Sequence, residues 1–400
     1  MNITRKSYTN GGAEKELFFP VTEFKDRLSA VRAEMSKRGL DALLVNTPEN
    51  ILYLTGYQTP GYYMYQCVLV TMKHDPVLLI RNGEFGNFLT FSWLDECATY
   101  FDDEDPVETT LNTIAEYGVT GGNIGVEMRS WFLTPYAFQQ LEKRNSNLKW
   151  TDASGTVEAC RLRKSAREVE FIRAAAKAAE AGMRAAIDAV DVGKTDRDVS
   201  AALHAAMISA GSEYPGMGPF VAVGKRSAMM HGIWGGYPIE AGQTINLEIG
   251  ASVHRYGGCL MRSVSVGKPS AEVEKIAVAV ESANRRLIEG VRPGAMTADL
   301  HGAVGDELAS HGFDQNRKGR RCGYSLGLAF PPDWGEGHIL SVIDKPNVKL
   351  EPGMVLHLPL SLRIFPRVAS AFSETVLVTE KGHEVLTNFD RRLFVRNGAN

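Results

Sequence analysis

The stretch from His231 to Gly267 constrains this chain more than any other. It reads HGIWGGYPIEAGQTINLEIGASVHRYGGCLMRSVSVG. Two alternating apolar runs, Thr244 to Ala251 and Val253 to Val266, are joined by a short Gly-Ala-Ser segment, so the spacing predicts a β-hairpin. Glu248 lies in the middle of the first run. The period of two sends its carboxylate away from the face that carries Leu247 and Ile249. A mid-strand carboxylate faces either solvent or a site. His231 precedes the hairpin, and Cys259, Met261 and Arg262 fall on its second strand.

Around this hairpin the chain reads as two domains, residues 1–160 and 161–400, and 400 residues suffice for two cores. Residues 1–18 are polar and read as a frayed arm without the apolar core of a secretory leader. Apolar spacing predicts a helix over 22–38 and strands at 42–45, 51–55, 68–72, 77–80 and 124–127. It also predicts helices around 84–95 and 107–116, so the first domain reads as α/β with a mixed sheet. The aromatic tract Tyr62 to Gln66 is a loop bounded by Pro60 and Gly61. In the second domain Ser165 and Glu168 form a capping box ahead of an Ala-rich helix, and Thr195 caps the next one. Helices come next at 270–289 and from Met296 toward Gly312, and strands at 355–362 and 371–379. The run Pro293 to Asp299 echoes Val192 to Asp198 in outline, a faint internal repeat.

A formal charge of −3, with no long block of one sign, argues against nucleic acid or an anionic membrane as partner. No apolar run approaches the roughly 18 residues of a membrane span. The five cysteines are scattered and form no CxxC pair, which points to a reducing cytoplasm and away from a disulfide framework or zinc ribbon.

The pattern Glu-x-Gly, then Tyr, then Arg-Ser, resembles the hairpin of the pita-bread family, which includes methionine aminopeptidase, aminopeptidase P, prolidase and creatinase. The resemblance implies a creatinase/prolidase-like N-terminal domain and a C-terminal pita-bread catalytic domain. In the family's peptidases two aspartates, one histidine and two glutamates hold two metal ions. Here Glu248 stands at the first aspartate position and Cys259 at the second, nine residues after Gly250. Tyr324 replaces the histidine in Gly323 to Leu328, and Pro359 replaces a glutamate after Pro352 to Val355. Glu374 alone is kept. The resemblance therefore implies no metal and no other cofactor. Pro332-Asp333-Trp334-Gly335-Glu336, His357, Ser373-Glu374 and Arg391 to Val395 look most like the family's ectoine hydrolases. The likeness departs after Tyr256, where Gly257-Gly258-Cys259-Leu260 stands in place of bulkier groups and implies either a larger relative of ectoine or another small C–N compound as substrate.

The resemblance also implies a chemistry. His231 matches the family's non-ligand catalytic histidine, and imidazole titrates nearest neutrality. Glu248 and Glu374 would face each other across the sheet and share a planar amidinium or guanidinium of the substrate, or else one of them merely pairs with Arg262 as a buried ion pair. Substrate contacts would come from Tyr63, Tyr65, Tyr256, Cys259, Arg262, Tyr324, Asp333, Trp334, Glu336 and His357. Arg262 either binds a substrate carboxylate or holds Glu248, and Cys259 is either a thiol nucleophile or a small apolar residue. Glu248 serves either as a covalent nucleophile or as base and cation partner. The reading is a metal-independent hydrolase of a C–N bond in a small cationic or zwitterionic substrate. It would form a homodimer in which the Tyr62 to Gln66 loop closes the partner's site. Its rivals are an Xaa-Pro peptidase and a non-catalytic binding protein.

Overall fold

The computed structural model describes residues 5–7, 14–313 and 320–396. The polar arm expected over residues 1–18 lies largely outside them. The chain divides into two compact units, Met1–Arg161 and Leu162–Asn400.

The N-terminal unit is built on a mixed sheet with strand order β1-β5-β4-β3-β2-β6-β7. The strands are β1 (Arg5–Ser7), β2 (Ala42–Val45), β3 (Cys67–Thr71), β4 (Val77–Arg81), β5 (Glu96–Tyr100), β6 (Gly122–Val126) and β7 (Leu148–Asp152). β2 pairs parallel with β6 and antiparallel with β3, which is the mixed sheet that alternating helices and strands imply. The segment expected as a strand at 51–55 is instead the helix Pro48–Thr55. Pro48 at its first turn presets the helical φ, and Gly56 ends it in the left-handed region at φ 78. Continuous burial from Asn50 to Thr55 conceals the helical period.

The C-terminal unit carries the hairpin. Its strands are β8 (Phe220–Val223), β9 (Thr244–Val253), β10 (Tyr256–Val266), β11 (Tyr324–Ser325), β12 (Val355–His357), β13 (Leu360–Ile364), β14 (Val368–Phe372), β15 (Thr375–Val378), β16 (His383–Val385) and β17 (Phe394–Arg396). One sheet runs β17-β10-β9-β8, a second runs β11-β12-β15-β16, and β13 pairs with β14. The helix Ala166–Ala189 begins with the expected capping box, in which the Ser165 amide donates to Glu168 Oε2 (2.8 Å) and the Glu168 amide to Ser165 Oγ (3.3 Å). It packs against β9 and β10.

The turn of the hairpin begins two residues beyond the Gly-Ala-Ser segment. Strand β9 runs through that segment, and His254 and Arg255 make the two-residue loop at φ 49 and φ 66. Both central residues at positive φ is the type I′ arrangement that suits the twist of a hairpin, ordinarily supplied by Asn-Gly. Here Glu213 supports it, its carboxylate accepting from the amides of His254 (3.1 Å) and Arg255 (3.1 Å). The Arg255 side chain is buried and donates through Nη1 to Tyr214 O (2.5 Å) and through Nη2 to Ala329 O (2.6 Å).

The register sorts the hairpin into two faces. Glu248 pairs with Met261 and with Phe220, and Gly250 with Cys259, so these side chains share one face. Leu247 pairs with Arg262, and Ala251 with Gly258, on the other. Gly258 thus faces the Ala166–Ala189 helix and does not enlarge the Glu248 face, contrary to the expectation for it, whereas Gly257, paired with Ser252, lies on the Glu248 face. A Cβ at Gly258 would stand 2.3 Å from the Ala176 backbone nitrogen. Gly258→Ala should therefore destabilise the protein by about 1–3 kcal/mol, the usual range for overpacking. A urea titration checks this, and an unchanged midpoint would contradict the packing described. No helix among the described residues is long and apolar enough to cross a membrane.

Candidate active site

The Glu248 face of the hairpin is where titratable groups gather. Glu248 is partly buried and makes no hydrogen bond or ion pair with any described residue. Burial pushes its carboxyl up to about 7, against the pull of the Arg363 guanidinium. Cys259, on the same face, is fully buried, and its thiol is held well above its ordinary range by burial and then by the charges of Glu248 and Asp333. A thiol so disposed is a poor nucleophile at neutral pH.

Trp334 covers this face. A Cβ at Gly250 would meet its ring at 2.9 Å and Cys259 Sγ at 3.2 Å, so glycine in Glu-x-Gly is what lets the indole lie on the strand. Phe220 meets the Trp334 ring edge-on at 5.3 Å, and the His231 imidazole stacks on Phe220 at 5.1 Å. His231 is exposed and sits at φ 54, a left-handed position uncommon outside glycine. Phe220, in register with Glu248, is thus the link between that histidine and the carboxylate. Its only signal in the sequence is the short apolar run Phe220 to Val223.

Behind the indole runs a chain of hydrogen bonds. Trp334 Nε1 donates to Tyr324 Oη (3.0 Å), Tyr324 Oη lies 2.8 Å from His357 Nδ1, and His357 Nε2 lies 2.7 Å from Ser373 Oγ. Burial, reinforced by the Arg321 charge, lowers the His357 imidazole to about 3, so it is neutral. Indole can only donate, so the Tyr324 hydroxyl donates its hydrogen bond to Nδ1 and the His357 Nε2–H donates to Ser373 Oγ. Both residues were expected to touch substrate. The chain instead takes up the Tyr324 proton and both ring nitrogens of His357, which is fully buried.

The expected partnership of Glu248 with Glu374 is not what the structure builds. Glu374 is fully buried, 2.6 Å from Arg262 Nη2, and also accepts from Thr387 Oγ1. Arg262 spends every N–H it has. Nε donates to Asp390 O (2.7 Å), Nη1 to Met261 O and Ser373 O (2.8 Å each), and Nη2 to Phe389 O (2.8 Å) as well as to Glu374. No donor remains for a substrate carboxylate, and Arg262 is on the hairpin face opposite Glu248. Glu336 is likewise taken up, with Lys164 Nζ at 2.8 Å and Ser325 Oγ at 3.0 Å. Tyr256 also faces away, its hydroxyl donating to Glu168 Oε1 (2.7 Å). Asp333 is partly exposed and caps the Gly335 amide (3.0 Å).

In the N-terminal unit, Tyr65 packs against the sheet core with its hydroxyl 3.1 Å from Thr110 Oγ1, so it is not a free lid residue. Tyr63 is 76% exposed.

Arg363 on β13 is the residue that sequence reasoning missed. Its Nη1 donates to the carbonyls of Ser227 (2.9 Å) and Met229 (2.6 Å), just ahead of His231. As a donor set for metal, the site is poor. Tyr324 is taken up by Trp334 and His357, Pro359 has no side-chain donor, and Glu374 is engaged by Arg262. Among the described residues no group of three or more His, Cys, Asp or Glu side chains could hold an ion. A two-metal hydrolytic centre needs bridging carboxylates, and these residues do not fit one.

Known proteins of similar sequence and fold bear on this site. Residues 170–380 match the model described as Metallopeptidase family M24, and residues 27–163 match the Creatinase/Prolidase N-terminal domain. An ectoine hydrolase from Halomonas elongata is 32% identical, the match covering 94% of this chain and 98% of that protein. An Xaa-Pro dipeptidase from Pyrococcus horikoshii is 26% identical over 90% of this chain and 96% of its own. Among solved structures, the prolidase from Pyrococcus horikoshii OT3 superposes with a TM-score of 0.79 at 23% identity, covering 92% of this chain and all of that one. A prolidase from Thermococcus sibiricus gives 0.83 at 20% identity, covering 93% of this chain and 99% of that one. These two structures are evidence of fold alone.

Proposed function

We propose, for a chain that belongs to metallopeptidase family M24, the hydrolysis of a C–N bond other than a peptide bond in a small cationic or zwitterionic compound, without a metal. The fold and the family give a hydrolase. The finer reading rests on one observation: among the described residues the carboxyl of Glu248 stands unpaired, at a position where the family's peptidases have a metal ligand, and no cluster of three or more ligand side chains surrounds it. A carboxyl that titrates near neutrality serves either as acid or as base. Ionised, it holds a planar amidinium through paired N–H donors.

The reaction is built from those groups. Water adds to the amidinium carbon, and Glu248 takes the proton that water loses. The tetrahedral adduct then breaks one C–N bond as the same proton goes to the leaving nitrogen; the adduct's hydroxyl becomes the amide carbonyl, and its proton passes to the released amine, which leaves as an ammonium. A cyclic amidine is opened to an amide and an amine. His231, exposed and stacked beside the site, exchanges the proton with solvent. The likeness to an ectoine hydrolase supports a cyclic amidine as substrate. We also propose a cytoplasmic homodimer: the exposed Tyr63 is the candidate to reach a second copy of the chain, and free cysteines suit a reducing compartment.

The test is a turnover assay with ectoine and related cyclic amidines beside Xaa-Pro dipeptides, products followed by NMR. Ring opening without dipeptide cleavage is the expected result. Dipeptide cleavage alone would contradict it and favour the peptidase relatives.

A further inference from the structure

We infer that Arg363 anchors a carboxylate of the substrate, so that the site selects a zwitterion whose cationic end meets Glu248 and whose anionic end meets Arg363. This rests on the reading of Glu248 as the cation partner.

The placement is geometric. Asn246 is two residues before Glu248, on the same face of β9 and about 7 Å away along the strand. Asn246 Nδ2 donates to Ser227 O (2.7 Å), and Arg363 Nη1 donates to the same carbonyl oxygen (2.9 Å). The guanidinium is thereby fixed on Glu248's face of the sheet. Its Nε reaches Ser361 Oγ (3.2 Å) and its Nη1 also reaches Met229 O (2.6 Å). Nη2 has no hydrogen bond to any described residue.

Glu248 and Arg363 attract each other, yet form no ion pair among the described residues. Backbone anchors hold the arginine back, and the strand holds the glutamate. Two opposite charges kept near each other but unjoined, one with a spare N–H edge and one with a bare carboxyl, leave a place for a ligand with the complementary pair. Arg262 was the expected anchor, but its donors are all used internally. A guanidinium with an open edge is suited to a carboxylate.

The experiment uses calorimetry on the full chain with two probes: ectoine, a zwitterionic cyclic amidine, and 2-methyl-1,4,5,6-tetrahydropyrimidine, its cation without the carboxylate. The wild type should prefer ectoine. Arg363→Gln should weaken ectoine on the order of 10²-fold and leave the carboxylate-free cation within about threefold, while Arg363→Lys recovers part of the loss. Arg320→Gln, removing the neighbouring exposed cation, should change neither by more than about threefold. Equal weakening of both probes by Arg363→Gln would show a structural role and overturn the inference. So would a preference lost in Arg320→Gln instead. Wild-type protein that opens amidines but binds both probes alike would also overturn it, leaving the hydrolase reading intact. Wild-type protein that binds neither probe and cleaves dipeptides overturns both.

Discussion

Glu374→Gln should destabilise the protein by about 3–5 kcal/mol, the usual cost of removing one member of a buried ion pair. The glutamine leaves Arg262 fully buried without its counter-charge and takes the same charge from Arg391, whose Nε lies 3.6 Å from the same oxygen. Arg262 in turn organises the carbonyls of Met261, Ser373, Phe389 and Asp390, so the loss spreads across β10 and the chain's last turn. Urea denaturation would show the effect as a lower midpoint at unchanged slope. Full stability with turnover abolished would instead return Glu374 to a role in the reaction.

Glu248→Gln should lower turnover by about 10²-fold or more, in line with the loss of a general acid–base group. The same variant carries a pH signature. The folded-state carboxyl titrates at about 7, above its ordinary 4.5, so the folded chain holds this proton more tightly than the unfolded one. Stability contributed by the protonated form is full below 4.5 and is lost as pH rises to about 7. Wild type minus Glu248→Gln should therefore show stability falling through that window and level beyond it. The groups facing this carboxyl are Arg363, Cys259 and Tyr324, and the charge of Asp333 acts on the last two. Turnover limited by Glu248 as base should rise over the same range. A flat difference and an active Gln variant would remove Glu248 from the chemistry.

Much of this site is legible in the sequence because strand parity and motif spacing are local. Alternation around Leu247 and Ile249 sets the Glu248 carboxylate apart, and Tyr324 and Pro359 announce the missing metal donors. The illegible part depends on contacts across many residues. The hairpin turn is hidden because His254-Arg255 contains no glycine, and the carboxylate that stabilises it is Glu213, some forty residues earlier. The same parity that exposes Glu248 puts Arg262 on the other face, but the partner that consumes Arg262 is 112 residues away. Arg363 carries no motif at all. Only the Ser227 carbonyl that it shares with Asn246 ties it to the site. Gly258 reads as space for substrate and is space for a helix backbone.

We propose that a protein carboxyl, and not a metal-bound water, drives hydrolysis here. The most direct measurement is elemental analysis of active protein, paired with turnover of a cyclic amidine before and after exhaustive EDTA treatment. The account predicts no stoichiometric metal and unchanged turnover. A tightly bound divalent ion whose removal abolishes activity, and whose return restores it, would contradict the account.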